Sequence, residues 1–157
     1  MAVRNVIRIG EASLRKKSKP VKDFDENLWQ LLDDMKETMY AYDGMGLAAP
    51  QVGILRRVVV MEVNNSYFEL INPEIIKMSG EDIEEEGCLS VGEFRGRVKR
   101  PMTVTVSAYD RYGYPFTLKG EKWLARCICH ELDHLDGVLF VDRSLDRDEY
   151  IRRGNKI

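Results

Sequence analysis

Both histidines of this chain lie in one five-residue motif, His130-Glu131-Leu132-Asp133-His134. An α-helix advances about 100° per residue, so two histidines four positions apart project from the same face, one turn apart. Both imidazoles can then reach one metal ion, and Glu131 lies beside them in a position to transfer protons. Because the chain has only two histidines, this arrangement is improbable by chance. The motif predicts a metal site on a helix.

A catalytic site of this kind commonly has three protein ligands and keeps one position for water, so a third ligand must be found. In HExxH metalloproteases it lies downstream of the second histidine, where this chain offers no histidine and one glutamate, Glu149. Upstream, Cys88 follows a glycine, and a thiolate is a strong ligand for a borderline-soft divalent ion. A lone cysteine is more often a small buried apolar residue. The residues alone leave a zinc protease open beside a cysteine-containing site.

A non-catalytic alternative comes from Cys127, which a helical projection places about 60° from His130 and on the same face. With Cys88 and both histidines it could form a closed Cys₂His₂ structural zinc site. Three ligands from one turn of helix leave poor room for tetrahedral geometry, however, and Glu131 would then have no role. A buried Cys127 beside the site is the simpler interpretation.

Two helices and several strands are predicted to position these residues. Apolar residues at helical spacing follow Asp25, a candidate N-cap, and predict a first helix that ends near Asp43-Gly44. The second helix is predicted from about Glu121 to Asp136, ended by Gly137. Its apolar residues form a stripe opposite the histidines. Strands are predicted at 58–60, 67–71, 102–109 and 116–119, the last two joined by a turn at 110–113.

The composition is that of an ordinary globular protein, with 44% hydrophobic and 32% charged residues and a formal net charge of −2. The length suits a single catalytic domain, residues 1–157. Because the chain has no net positive charge, we expect no nucleic-acid partner. Because it has no long apolar run, we expect no membrane span. Three cysteines argue against a complete disulfide framework and favour a reducing compartment, so we expect a cytoplasmic protein.

Three segments, taken together, resemble the signature motifs of peptide deformylases, and they occur in the same order. They are GMGLAAPQ at 44–51, EGCLS at 86–90 and HELDH at 130–134. The resemblance extends over nearly the whole chain, including 14–16, 70–73 and 137–140. It implies an α+β fold in which antiparallel β-sheets surround a central metal-binding α-helix, with a second, N-terminal helix packed outside.

The resemblance also implies a function. The chain would be a metal-dependent hydrolase of protein biosynthesis that removes the N-formyl group from the formylmethionine of newly synthesised polypeptides and releases formate. One divalent ion would be bound by Cys88, His130 and His134, with water as the fourth ligand. The family's typical ion is Fe(II), which nickel, cobalt or zinc can replace. Glu131 would be the general base, and then the acid, for the water that attacks the formyl carbon.

Further roles follow from the same resemblance. The side-chain amide of Gln51 and the backbone N–H of Leu89 would stabilise the developing oxyanion. The residues implied in substrate binding are Met45, Gly46, Gly87, Arg95, Arg126 and Cys127. Glu86 and a pair formed by Asp43 and Arg100 are candidates for orienting the ligands. A C-terminal helix of bacterial relatives contacts the ribosome near the exit tunnel, which suggests the same for Arg152, Arg153 and Lys156.

Overall fold

The computed structural model describes residues 2–157 and confirms the expected α+β fold with antiparallel sheets. A five-stranded sheet has the order β1-β2-β3-β6-β7, and β4 and β5 form a separate two-stranded hairpin. The strands are β1 (Gly46–Ala48), β2 (Val58–Val63), β3 (Ser66–Ser79), β4 (Asp82–Cys88), β5 (Gly92–Arg100), β6 (Thr103–Tyr109) and β7 (Pro115–Glu121). The helices are α1 (Glu26–Ala41), α2 (Trp123–Leu135), α3 (Phe140–Arg143) and α4 (Arg147–Arg152).

The five-stranded sheet separates the two long helices. Side chains of a strand point alternately to its two faces, and β2 is apolar on both. Val59 and Met61 belong to the apolar cluster that contains α2, whereas Val58 and Val60 pack with α1. This explains why β2 has no polar alternation. It also places α1 on the outer side of the sheet, as predicted.

Helix α2 lies between this sheet and the β4–β5 hairpin. Its apolar residues, including Ile128, Leu132 and Leu135, pack in the cluster of the sheet. On its other side, Arg126 and His130 bond to Glu86 of β4. The helix therefore has one face in the core and one under the hairpin. Among the helices of residues 2–157, none has both the length and the apolar character that a membrane crossing requires.

The predicted helices are found with small shifts at their ends. Asp25 caps α1 by accepting hydrogen bonds from the backbone of Asn27 and Leu28. At the other end Asp43, not Gly44, takes the left-handed conformation, with φ of 54°. Helix α2 begins at Trp123 because β7 runs on to Glu121.

The strands differ more from the prediction. Strand β3 continues to Ser79, well beyond the predicted Ile71, through a register shift beside Asn72. Asn72 has φ of 51°, and its side chain bonds the backbone N–H and C=O of Val21. This local anchor explains how the strand passes the irregularity. The prediction missed β1, β4 and β5 altogether.

Candidate metal centre

The three predicted metal ligands converge. One ligand atom each from Cys88, His130 and His134 lies within 4.8 Å of the others. The Cys88 Sγ is 3.4 Å from the His134 Nε2. Bonds of about 2.3 Å to sulfur and 2.0–2.1 Å to nitrogen, at a tetrahedral angle, place two such ligand atoms about 3.5 Å apart. The spacing and the donor set therefore fit a divalent ion, with the two histidines supplied by α2 and the cysteine by the end of β4.

Cys127 does not join this cluster in the part of the chain that the structure describes. Its thiol is buried, and its hydrogen-bond contact is the Met45 carbonyl at 3.9 Å. Burial, together with the charge of Glu131, raises the pKa of this thiol well above its usual value. The geometry thus argues against a closed Cys₂His₂ site.

Glu86 orients the first histidine. Its Oε1 lies 2.8 Å from the Nδ1 of His130, so Nδ1–H donates to the carboxylate and Nε2 is left for a metal. Arg100 donates to both oxygens of the same carboxylate, at 2.9 and 3.0 Å. Burial alone would raise the pKa of Glu86, but the hydrogen bonds from Arg100 and His130 outweigh it and hold this pKa well below its usual range. Glu86 is therefore a carboxylate at neutral pH.

The network extends to the middle of the helix motif. Arg100 also donates to Asp133 at 2.7 Å, and Arg143 donates to both oxygens of Asp133. The predicted pairing of Arg100 with Asp43 does not occur, since Arg100 binds Glu86 and Asp133 instead. The projection of α2 could have drawn attention to Asp133, because it lies about 60° from His130 and faces the hairpin side.

Glu131 is buried beside the ligands. Its Oε1 has no hydrogen-bond partner among the described residues. Burial raises the pKa of Glu131 to about 7. A Cβ atom at Gly46 would lie 2.6 Å from the Oε2 of Glu131, so only glycine lets β1 pass so close. A carboxyl group with a pKa near neutrality, aimed into a cavity, can both accept and release a proton.

Gln51 is held with its amide nitrogen toward the ligand cysteine. Its Nε2 lies 3.6 Å from the Cys88 Sγ and donates to the Ser90 hydroxyl at 3.1 Å. Its Oε1 accepts from the backbone N–H of Ala48 at 3.0 Å. These contacts fix which end of the amide faces the site. Ser90 was not identified from the sequence, although it closes the EGCLS motif.

A cavity of about 590 Å³ opens onto these groups. It is lined by all six residues predicted to bind substrate, namely Met45, Gly46, Gly87, Arg95, Arg126 and Cys127, and also by Gln51, Leu89, Glu131 and Trp123. Met45 and Arg95 are exposed at its edge, whereas Arg126 is 3% exposed. Trp123 was not predicted, because its position at the first turn of α2 carried no motif.

Glu149, the alternative third ligand, lies in α4 with Arg152. Arg153 and Lys156 follow this helix. Glu149 forms ion pairs with Arg152 and Arg153, at 2.7 and 3.1 Å. It does not belong to the candidate ligand cluster. Lys156 is exposed beyond this helix. A downstream protease-type ligand is therefore not supplied by Glu149.

Comparisons with known proteins agree over nearly the whole chain. The family model described as polypeptide deformylase matches residues 3–149. The peptide deformylase of Acetivibrio thermocellus is 54% identical over 156 residues, which cover 98% of this chain and 92% of the relative. The solved structure of a peptide deformylase from Synechococcus elongatus in complex with actinonin has a TM-score of 0.93 at 40% identity, covering 98% of this chain and 87% of that one. The structure from Thermotoga maritima has a TM-score of 0.90 at 43% identity, covering 92% and 99%.

Proposed function

The chain belongs to the polypeptide deformylase family, and we propose that it is the enzyme that removes the N-formyl group from the formylmethionine of newly synthesised polypeptides, releasing formate. The observation that carries this proposal is the convergence of Cys88, His130 and His134 beside a buried carboxyl group, Glu131. The same three segments carry the motifs that distinguish the family. We further propose that residues 1–157 act as one catalytic domain, since the site draws on residues from β1, β4 and α2, which are far apart in the chain.

The residues that would hold the metal are Cys88, His130 and His134, and we propose Fe(II) as the resident ion, with nickel, cobalt or zinc as substitutes. One thiolate and two imidazoles suit ions of this class. When bound, such an ion would act as a Lewis acid and lower the pKa of water from 15.7 to roughly 7. Glu86 would hold the His130 imidazole in the orientation that ligation needs.

Glu131 is proposed to move the protons. Its carboxylate accepts a proton from the attacking water and then delivers it to the amide nitrogen that leaves as formate is released. A pKa of about 7 suits both transfers at neutral pH, because neither the acid nor the base form is scarce. Burial also excludes bulk water from the group.

Gln51 and Leu89 are proposed to stabilise the oxyanion that forms on the formyl oxygen. The amide nitrogen of Gln51 is already fixed toward Cys88 by two further hydrogen bonds. Leu89 directly follows Cys88 and lines the same cavity. Donors held in place before the reaction lower its barrier without a cost of reorganisation.

The peptide is proposed to bind along the glycine-bearing rims of the cavity. Gly46 in β1 and Gly87 in β4 offer backbone groups to an extended chain, the β-augmentation mode. Met45 and Cys127 would form the apolar wall for the methionine side chain, with the stem of Arg126 beside them and Arg95 near the mouth.

The proposed substrate and the free cysteines both bear on where in the cell the protein acts. We propose a cytoplasmic enzyme, in keeping with nascent chains as substrates and with three free thiols. Ribosome contact through Arg152, Arg153 and Lys156 is also proposed. Its support is their exposure near the end of the chain, although Glu149 offsets part of the charge of the two arginines.

A formate-release assay on formyl-Met-Ala-Ser tests the function, with protein purified anaerobically and loaded separately with iron, nickel or cobalt. We expect metal-dependent formate release. The absence of formate with all three metals would overturn the proposal. Cleavage of internal peptide bonds would instead favour the HExxH protease, and tightly bound zinc without either activity would favour a structural domain.

A further inference from the structure

Arg126 has its guanidinium in a buried network, although the residue lines the substrate cavity. Its Nη1 donates to the Oε2 of Glu86 at 2.7 Å and to the Val98 carbonyl at 2.8 Å. Its Nη2 donates to the Asp82 carbonyl at 2.9 Å. Both terminal nitrogens are thus occupied by the protein itself, whereas the buried Nε has no hydrogen-bond partner among the described residues.

Glu86 links Arg126 to a metal ligand. Arg126 and His130 are four residues apart on α2, so they lie on the same face of the helix, one turn apart. The carboxylate of Glu86 spans them, with Oε2 on Arg126 and Oε1 on His130. Arg126 therefore restricts the position of the group that orients the His130 ring.

The same guanidinium also ties the hairpin to the helix. Asp82 begins β4, Cys88 ends it, and Val98 lies in the partner strand β5. A planar guanidinium can serve acceptors on both strands at once, because its five donors form a rigid fork. Arg126 thereby joins the element that carries the cysteine ligand to the helix that carries both histidines.

We propose that Arg126 is a positioning residue that sets the metal affinity of the site, through Glu86 and through the docking of the β4–β5 hairpin on α2. This inference rests on the proposed metal site. In this proposal the guanidinium positions the metal ligands, and the apolar groups of the cavity recognise the methionine side chain.

The test is titration of the metal-free protein with Co(II) in competition with a chelator, for the wild type and Arg126→Met. Loss of a group that supports a metal-bound histidine typically weakens metal binding about 10–100-fold, and we expect a loss in that range. The Co(II) absorption bands should shift as the ligand geometry relaxes. At saturating metal, the fold-change in Co(II) affinity should exceed any change in KM for formyl-Met-Ala-Ser, because methionine keeps an aliphatic stem in the cavity lining.

Arg97→Met is the matched control. Arg97 lies in β5, next to the Val98 that Arg126 contacts, and its guanidinium donates to both oxygens of Asp146, at 2.8 and 3.1 Å. The substitution therefore removes a guanidinium–carboxylate pair from the hairpin without touching Glu86. We expect its Co(II) affinity and spectrum to match the wild type, and an equal loss of affinity in this control would overturn the proposal.

A second variant guards against poor folding of Arg126→Met. Arg126→Lys retains the positive charge, but a single ammonium cannot reproduce the fork, so we expect weaker Co(II) binding than in the wild type. Wild-type affinity in either folded variant would overturn the proposal. A raised KM with unchanged Co(II) affinity would also overturn it, and would show that Arg126 recognises substrate. A wild-type protein that binds no Co(II) would instead refute the metal site itself.

Discussion

Replacing Gly46 with alanine tests whether Glu131 must occupy the place where the structure puts it. The added Cβ would lie 2.6 Å from the Oε2 of Glu131 and 2.9 Å from its Cδ and Cγ. Non-bonded heavy atoms prefer separations of about 3.5–4.0 Å. The carboxyl group must therefore move by roughly 1 Å, since β1 is held in the sheet by its pairing with β2.

The expected effect falls on turnover. A displacement of about 1 Å in a catalytic group can lower the rate about 100-fold, so we expect kcat of Gly46→Ala to fall by about that factor. Overpacking a buried site typically costs about 1–3 kcal/mol. For a chain of this size, each kcal/mol lowers Tm by about 2–4 °C. The variant should therefore remain folded, and it should retain the metal because no ligand is displaced.

Formate release, metal content and thermal unfolding together decide the outcome. Gly87→Ala is the control, because its Cβ would meet only the flexible end of the exposed Arg95 side chain, at 2.8 Å. That variant should show a much smaller loss of kcat. A Gly46→Ala enzyme with nearly wild-type kcat would refute the assigned position of Glu131. If the loss of kcat were matched by an equal loss of bound metal, displacement of Glu131 would be refuted as the cause.

Three further predictions concern single side chains. Glu131→Gln should retain metal but lose about 10²–10⁴-fold in kcat, as expected for loss of a general acid–base group; an active variant in the formate assay would contradict this role. Cys88→Ser should lose the metal, whereas Cys127→Ser should keep both metal and turnover, as judged by metal analysis and the same assay. Asp34 is buried, which would raise its pKa, but hydrogen bonds from the Ala2 N–H and from Gln30 and Arg4 lower that pKa overall. Its stabilising contribution is thus present above about pH 3.9 and is lost as the pH falls through the lowered value. The Tm difference between the wild type and Asp34→Asn should be clear at pH 7 and shrink toward pH 3, and a pH-independent difference would contradict the assignment.

The features that local rules govern could be predicted from the sequence. The spacing of His130 and His134 sets their common face, because the helical period alone decides it. Asp25 marks the start of α1, and Gly137 takes φ of 76° just after α2, as a helix end favours. In each case the physical cause lies within a few residues. These are the positions where the prediction and the structure agree most closely.

The hairpin could not be predicted in this way. Strand β4 has the sequence DIEEEGC, and adjacent acidic residues have a low intrinsic tendency to form strands. Its stability comes from partners distant in the chain, since Arg100 and Arg126 both bond to Glu86. No local pattern shows these ion pairs. Residue chemistry made Cys88 a candidate ligand, but only the family resemblance selected it, because its place beside α2 depends on this tertiary contact.

The way the ligands are divided has an energetic consequence. Both histidines belong to a helix whose opposite face is anchored in the core of the five-stranded sheet. The cysteine belongs to a hairpin that the polar contacts of Glu86 and Arg126 help to hold on that helix. A metal ion that binds all three ligands must therefore also stabilise the docked hairpin. The reason is that the observed free energy of metal binding includes the free energy of ordering the ligands. The proposed substrate cavity is lined by residues of both elements, together with residues 43–46 and Gln51. Metal affinity and the shape of this cavity thus both depend on the interface between the helix and the hairpin.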